Sequence, residues 1–109
     1  MIELRGYTDE HGNKTFVRWL DGLEATAAVK VVIALTRMEQ GNFSRVAGVG
    51  AGVYEYKIDF GPGYRVYFGK DGDRLVILLG GGTKKRQQED IALAQERWAA
   101  YKRRKKLET

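Results

Sequence analysis

Hydrophobic and polar positions along the chain repeat with two different periods, which predict helices in one part and strands in another. Residues 2–5 alternate between apolar and polar, as in a short strand with one buried face. Apolar residues then recur at helical spacing over residues 16–23, after a candidate N-cap at Asn13, and again over residues 24–39. The second helix would bury one stripe: Ala25, Ala28, Val29, Val32 and Leu35. The pattern predicts two helices joined as an αα-hairpin.

Alternation with a period of two returns after a loop punctuated by Gly48, Gly50 and Gly52. Residues 54–60 place aromatic and aliphatic side chains on one face and Glu55, Lys57 and Asp59 on the other. Residues 61–63 (Gly-Pro-Gly) supply a turn, and residues 64–68 continue the same alternation. We predict a hairpin whose polar face is solvated.

The register of that hairpin follows from the assumed length of its turn. A three-residue loop would place Asp59 opposite Arg65 and Lys57 opposite Tyr67 on the polar face. An arginine and a lysine flanked by a phenol suit an RNA phosphate, because arginine binds phosphate bidentately and tyrosine can stack a base or pass a proton. The alternative is an ordinary cross-strand ion pair on a wet surface.

The last third of the chain predicts one more strand and a closing helix. Residues 75–79 are all apolar, which favours a central strand buried on both faces, and three glycines at 80–82 would end it. Ile91, Ala94, Trp98 and Tyr101 share one face of a helix. The predicted fold class is α+β: a single domain over residues 1–109 in the order β-α-α-β-β-β-α. An antiparallel sheet would carry the αα-hairpin on one side and a C-terminal helix, with a basic, frayed tail at 102–109.

Net charge narrows the class of partner. The chain has a net charge of +5. Residues 1–54 are neutral overall, so the whole excess of positive charge lies in residues 55–109, which have thirteen basic and eight acidic side chains. A polyanionic or acidic partner for the second half is one interpretation, and a solubility surface is the other.

Two basic segments lie in that half. The first is Lys84, Lys85 and Arg86, at the start of the closing helix, where cations are unfavourable because they lie at the positive end of the helix dipole. These cations would either bind phosphate or have their charge offset by Glu89 and Asp90. The second spans residues 102–106. It would either contact nucleic-acid phosphates, through Lys102, Arg103, Arg104 and Lys105, or form a solvated helix end.

Composition removes several kinds of chemistry. The chain has no cysteine, so disulfides and thiolate chemistry are excluded, and with His11 as the single histidine a His/His acid–base pair is impossible. No convincing carboxylate cage is present, so we expect neither a metal nor another cofactor. No apolar stretch approaches a membrane span or a secretory leader, which predicts a cytoplasmic protein without a membrane partner.

Residues 52–68, GVYEYKIDFGPGYRVYF, followed by LVILLGGG, closely resemble the phage-derived addiction module killer branch of the RelE/ParE/HigB toxin superfamily. The earlier segments TFVRWLDGL and MEQGNF are also similar to the family's counterparts, so the resemblance covers nearly the whole chain. It implies a RelE-like fold and the toxin half of a type II toxin–antitoxin pair. The implied partner is a small helix-turn-helix antitoxin, bound in a heterotetramer.

The activity that this resemblance implies is metal-independent cleavage of mRNA on the ribosome, with the ribose 2′-OH as nucleophile. Arg65 matches the family's transition-state arginine, Lys57 a strand lysine, and Lys84 or Lys85 a late basic residue. The chain departs from some relatives at two positions. Asp59 stands where they have a second basic residue on the strand, and residues 87–90 stand where they have a C-terminal tyrosine. Tyr67 would take the role of that tyrosine. The alternatives are a non-enzymatic DNA gyrase inhibitor of the ParE kind and a general nucleic-acid-binding module.

Overall fold

A computed structural model describes residues 1–108, in which a five-stranded sheet carries helices on both faces. The strands are β1 (Glu3–Gly6), β2 (Val46–Gly50), β3 (Val53–Ile58), β4 (Tyr64–Asp71) and β5 (Leu75–Thr83). The helices are α1 (Thr15–Asp21), α2 (Ala25–Glu39) and α3 (Gln87–Glu108), with a 3-10 turn at Lys84–Arg86. The α+β class is confirmed, and the order of the strands is β1-β5-β4-β3-β2.

The sheet differs from the prediction in one pairing and one strand. β1 runs parallel to β5, so the sheet is mixed, whereas the β3–β4 and β4–β5 pairs are antiparallel as predicted. β2 occupies the predicted glycine loop and pairs with β3, with a register shift between Gly48 and Gly50. Glycine lowers strand propensity, but an edge strand with an irregularity tolerates it when a neighbouring strand supplies the hydrogen bonds.

The αα-hairpin is confirmed, but α2 buries a different stripe from the predicted one. The Glu24 side chain caps α2 by accepting hydrogen bonds from the backbone N–H groups of Thr26 and Ala27. Val29 and Val32 are 57% and 49% exposed. Apolar residues occur nearly all round this helix, so periodicity alone does not select the buried side. The residues that pack on the sheet are Ala27, Val31, Ala34 and Met38.

β5 is buried on both faces as predicted, with Val76 and Leu78 facing the αα-hairpin core and Ile77 and Leu79 facing α3. The strand does not end at its glycines but continues to Thr83, and it lies inside the sheet between β1 and β4. The glycines are needed inside the strand because neighbouring side chains lie directly against the backbone. A Cβ at position 81 would overlap the Trp19 ring.

The sheet face predicted to be solvated is covered by α3, which is the main correction to the predicted fold. Ile91, Ala94, Trp98 and Tyr101 pack on it, as the predicted helix face required. Beneath them, Glu55, Arg65 and Tyr67 are only 8%, 3% and 1% exposed. The alternation in β3 and β4 identified the two faces correctly but did not reveal that both are covered.

Residues 102–108 belong to α3 and do not form the predicted frayed tail. Arg104 Nη1 donates to the Thr8 carbonyl over 2.9 Å, and Lys105 Nζ contacts both carboxylate oxygens of Asp71 at 2.5 Å. These contacts hold the end of the helix against the sheet. Thr109, the last residue of the predicted tail, lies outside the described residues. No helix within residues 1–108 is long and apolar enough to cross a membrane.

Candidate functional site

The β3–β4 hairpin sets the geometry of the candidate site. Its ladder places Lys57 opposite Arg65, Glu55 opposite Tyr67, and Ile58 opposite Tyr64. The connecting loop is therefore five residues long, and the predicted three-residue register is wrong. The longer loop arises because the Gly63 N–H donates to the Phe60 carbonyl over 3.0 Å, closing the turn before β4 begins.

The corrected register brings two cations together and removes the acid. Residues directly opposite each other in an antiparallel pair share a face, so Lys57 and Arg65 are neighbours at the end of the sheet. Asp59 has left the ladder, and its Oδ2 accepts a hydrogen bond from Arg45 Nη1 at 3.1 Å. Arg65 is therefore not neutralised by Asp59.

The 3-10 turn at Lys84–Arg86 begins beside the same end of the sheet. β4 and β5 pair Tyr64 with Thr83, and the Lys84 N–H then donates to the Gly63 carbonyl over 2.9 Å. All three side chains of the turn are exposed. We refer to the resulting group as the sheet-end cluster: Lys57, Arg65, Lys84, Lys85 and Arg86.

Arg65 is the buried member of the sheet-end cluster. Its Nη1 donates to the Gly63 carbonyl over 3.2 Å, and its Nε lies 3.8 Å from Oε1 of Glu55. Gln87, at the start of α3, donates from its amide to both oxygens of Glu55 at 3.3 and 3.0 Å. The first residue of α3 thus orients the carboxylate that faces Arg65.

The guanidinium of Arg65 is incompletely hydrogen-bonded, because its buried Nε donates to no acceptor within residues 1–108. A buried N–H group that lacks a hydrogen-bond acceptor is unfavourable for folding. Local features that oppose stability are concentrated at functional sites. This position therefore has the characteristics of a binding centre more than of a structural ion pair.

Tyr67 lies apart from the exposed cations, under α3. Its hydroxyl has no hydrogen-bond partner among the described residues, and burial, followed by the nearby charge of Glu55, raises the pKa of its phenol. A cavity of about 160 Å³ beside it is bordered by Asp90 and Arg97. Burial likewise raises the pKa of the Asp90 carboxyl. In this conformation Tyr67 has no direct route to a ligand at the sheet-end cluster.

The basic segment at residues 102–105 is not part of the sheet-end cluster. Lys102 lies about 22 Å from Gln87 along the axis of α3, at the usual rise of about 1.5 Å per residue. Its ammonium lies 5.8 Å from the Trp98 ring centroid, and the Arg104 guanidinium lies 5.5 Å from the Tyr7 ring centroid. Arg103 is exposed. Because Arg104 and Lys105 have partners within the chain, much of this segment fastens α3 to the sheet.

Residues 1–108 contain no group of three or more histidine, aspartate or glutamate side chains that could hold a metal ion. His11 is exposed and lies 3.4 Å from the Glu10 carboxylate, outside the sheet-end cluster.

Sequence reasoning missed Glu55 and Gln87. The period-two pattern did place Glu55 on the same face as Lys57, which was a usable signal, but a solvated face gave it no special role. Its significance depends on the cover that α3 supplies. Gln87 carries no signal of its own, since only the path of the 3-10 turn brings it to Glu55.

These features define a small α+β protein with a cationic centre at one end of its sheet. Comparison with known proteins then gives the family. The model of the family described as "Phage derived protein Gp49-like (DUF891)" matches residues 18–99. An uncharacterized protein of Haemophilus influenzae is 42% identical over 81 residues, which cover 73% of this chain and 82% of that protein. The chain belongs to the Gp49-like family, whose members are toxin-type proteins of the addiction module killer and RelE-like group.

Proposed function

We propose that this chain is the toxin of a type II toxin–antitoxin pair and cuts mRNA bound to the ribosome. Membership of a toxin-type family supports the first half of the proposal and an antitoxin as partner. The second half rests on one observation. The β3–β4 register sets Lys57 beside Arg65, at the point where the Lys84–Arg86 turn begins.

The sheet-end cluster has the charge that RNA cleavage requires. Attack of a ribose 2′-OH on the adjacent phosphate builds negative charge on the phosphoryl oxygens, and positioned cations stabilise that charge more than they stabilise the substrate. The exposed Lys57, Lys84 and Lys85 would meet the strand first. Arg65 would stabilise the pentacoordinate phosphorus through the positive charge of its guanidinium, opposite Lys57 at the end of the sheet.

Two further residues have supporting roles in this proposal. Glu55 is a positioning residue, because it faces Arg65 and is itself held by Gln87. Arg86 pairs with Glu89 at 2.7 Å on an exposed surface, and such a pair opens at little cost, which leaves Arg86 available for RNA. Lys102 and Arg103 would contact more distant RNA as accessory cations.

The test uses one preparation of the purified chain in two assays. Ribosomes programmed with a defined mRNA should show cleavage of the message at the ribosomal A site, and gyrase should supercoil DNA at its normal rate in the presence of the same chain. Inhibited supercoiling with intact mRNA would instead favour the gyrase-inhibitor alternative. Cleavage that needs no ribosome would contradict the ribosome-dependent part of the proposal.

A further inference from the structure

A second group of cations lies in a cleft between α2 and the end of β3. Its volume is about 190 Å³. We call it the α2 cleft, and the side chains that matter for binding are Lys30, Arg37, Arg45, Lys57, Asp59 and Phe60. Three of its four cations come from residues 1–54, whose total charge is zero. Folding therefore brings positive charges of residues 1–54 together in one place, although the net charge of these residues is zero.

The cations of the α2 cleft are available to a ligand. Lys30 and Arg37 are exposed on α2, and Arg37 has no side-chain hydrogen bond or ion pair within the described residues. Among the described residues, the Arg45 side chain is engaged only by Asp59, in a pair whose side chains are half or more exposed. Exposed pairs of this kind contribute little to stability, so a phosphate can replace the carboxylate.

The spacing in the α2 cleft suits a chain of phosphates better than a single anion. Lys30 and Arg37 are seven residues apart on one helix, which separates them by roughly 10 Å along its axis. Phe60 lies in the β3–β4 loop, with the Lys30 ammonium of α2 5.4 Å from its ring centroid and its ring stacked on Tyr64. A line of cations beside an aromatic ring is the usual combination for binding single-stranded nucleic acid.

We propose that the α2 cleft binds the sugar–phosphate backbone of single-stranded RNA. Lys57 borders the cleft and also lies opposite Arg65, so one strand can run from the cleft to the sheet-end cluster. The identity of that strand as the mRNA to be cut rests on the function proposed above. Binding of RNA in the cleft does not depend on cleavage.

The experiment measures the affinity of the full chain for fluorescein-labelled 2′-O-methyl oligouridine, which cannot supply the 2′-OH nucleophile. Lys30→Ala/Arg37→Ala should weaken binding roughly ten-fold. It should also flatten the dependence of log K on log salt by roughly 0.7 for each phosphate that the variant no longer neutralises. The matched control is Lys14→Ala/Arg74→Ala, which removes the same charge from exposed positions outside the cleft and should change the affinity less than two-fold, or about 0.4 kcal/mol.

Asp59→Asn supplies a change of opposite sign. It removes the one carboxylate that borders the cleft and frees Arg45, so affinity for the oligouridine should rise several-fold. An RNA hairpin duplex should be less sensitive than the single strand to all of these changes, because a cleft of about 190 Å³ is far smaller than a double helix.

Equal losses of oligouridine affinity in the two double variants would overturn the inference, and so would an unchanged affinity in Lys30→Ala/Arg37→Ala. A third contrary result is a variant that loses affinity for polyglutamate but not for oligouridine, because the cleft would then be assigned to an acidic protein segment. The inference and the proposed function fail separately. Oligouridine binding that depends on the cleft, without cleavage of ribosomal mRNA, would contradict only the proposed function, and cleavage with cleft-independent binding would contradict only the inference.

Discussion

The Nε atom of Arg65 lies 3.8 Å from Oε1 of Glu55, in a part of the sheet where both side chains are buried under the start of α3. A buried ion pair contributes little net stability as a pair, but removing one partner leaves an uncompensated charge. The pair is therefore a sensitive point both for folding and for the orientation of Arg65.

Glu55→Gln tests that relationship. The variant keeps the shape of the side chain but leaves the Arg65 cation without its carboxylate, so the free energy of unfolding in urea should fall by about 3 kcal/mol. Glu89→Gln is the matched control, since its partner Arg86 is exposed, and it should cost less than about 0.5 kcal/mol. Equal losses in the two variants would show that burial of the Arg65–Glu55 pair has no energetic consequence.

Much of the fold could be predicted from the periods of its apolar residues, because local pattern and final structure agree there. The αα-hairpin, the two-sided burial of β5 and the inner face of α3 are examples. The pattern could not show which side of α2 faces the sheet, because both sides are apolar. It also could not show that β2 forms, because the partner strand rather than the glycines decides that pairing.

The candidate site was only partly predictable for a related reason. Lys57, Arg65 and Lys84 are visible as cations in the sequence, but their grouping depends on a five-residue loop that was expected to be shorter. The α2 cleft combines cations from three separate segments. Long-range packing creates such a group, and no local period reports it.

The glycines of β5 provide a test of the close packing against the sheet. Gly81→Ala should lower the free energy of unfolding by about 1–3 kcal/mol, because the added methyl group overlaps the Trp19 ring and the core must shift. Gly48→Ala in β2 should be nearly neutral in the same urea titration, since nothing lies within 4 Å of its added Cβ. A neutral Gly81→Ala would mean that Trp19 can move freely, contrary to the structure.

Tyr67→Phe separates a structural from a catalytic role for this side chain. The hydroxyl is buried without a partner, so we expect the variant to retain mRNA cleavage within about two-fold and to be at least as stable as the parent chain. Cleavage should be measured on programmed ribosomes and stability by urea unfolding. A large loss of cleavage without a loss of stability would return Tyr67 to the reacting centre.

Asp71 links the end of α3 to the β4–β5 turn and gives the stability a defined pH dependence. Hydrogen bonds from Lys105 and then from Tyr101 lower the pKa of this carboxyl. A lowered pKa in the folded state stabilises the fold above the unfolded pKa, near 3.8, and this contribution disappears as the pH falls through the folded value.

Asp71→Asn should therefore be less stable than the parent chain at pH 7, and the difference should shrink at pH values below about 3.8. Asp73→Asn, in the same turn, is the control, because it removes one carboxylate without touching the contacts of Asp71 with Tyr101 and Lys105, and it should leave the stability at pH 7 nearly unchanged. If the loss of stability in Asp71→Asn stays the same in acid, it comes from lost packing, and the electrostatic explanation is contradicted.

The central claim concerns Arg65 as the cation that stabilises the transition state. Arg65→Ala alone would leave Glu55 buried without a counterion, so the decisive variant is Arg65→Ala/Glu55→Gln, which removes both charges and is expected to remain folded. The measurement is the single-turnover rate of mRNA cleavage on programmed ribosomes, with folding checked by thermal unfolding. We predict a rate at least about 100-fold below that of the parent chain. A folded double variant that cuts at the parent rate would contradict the assignment.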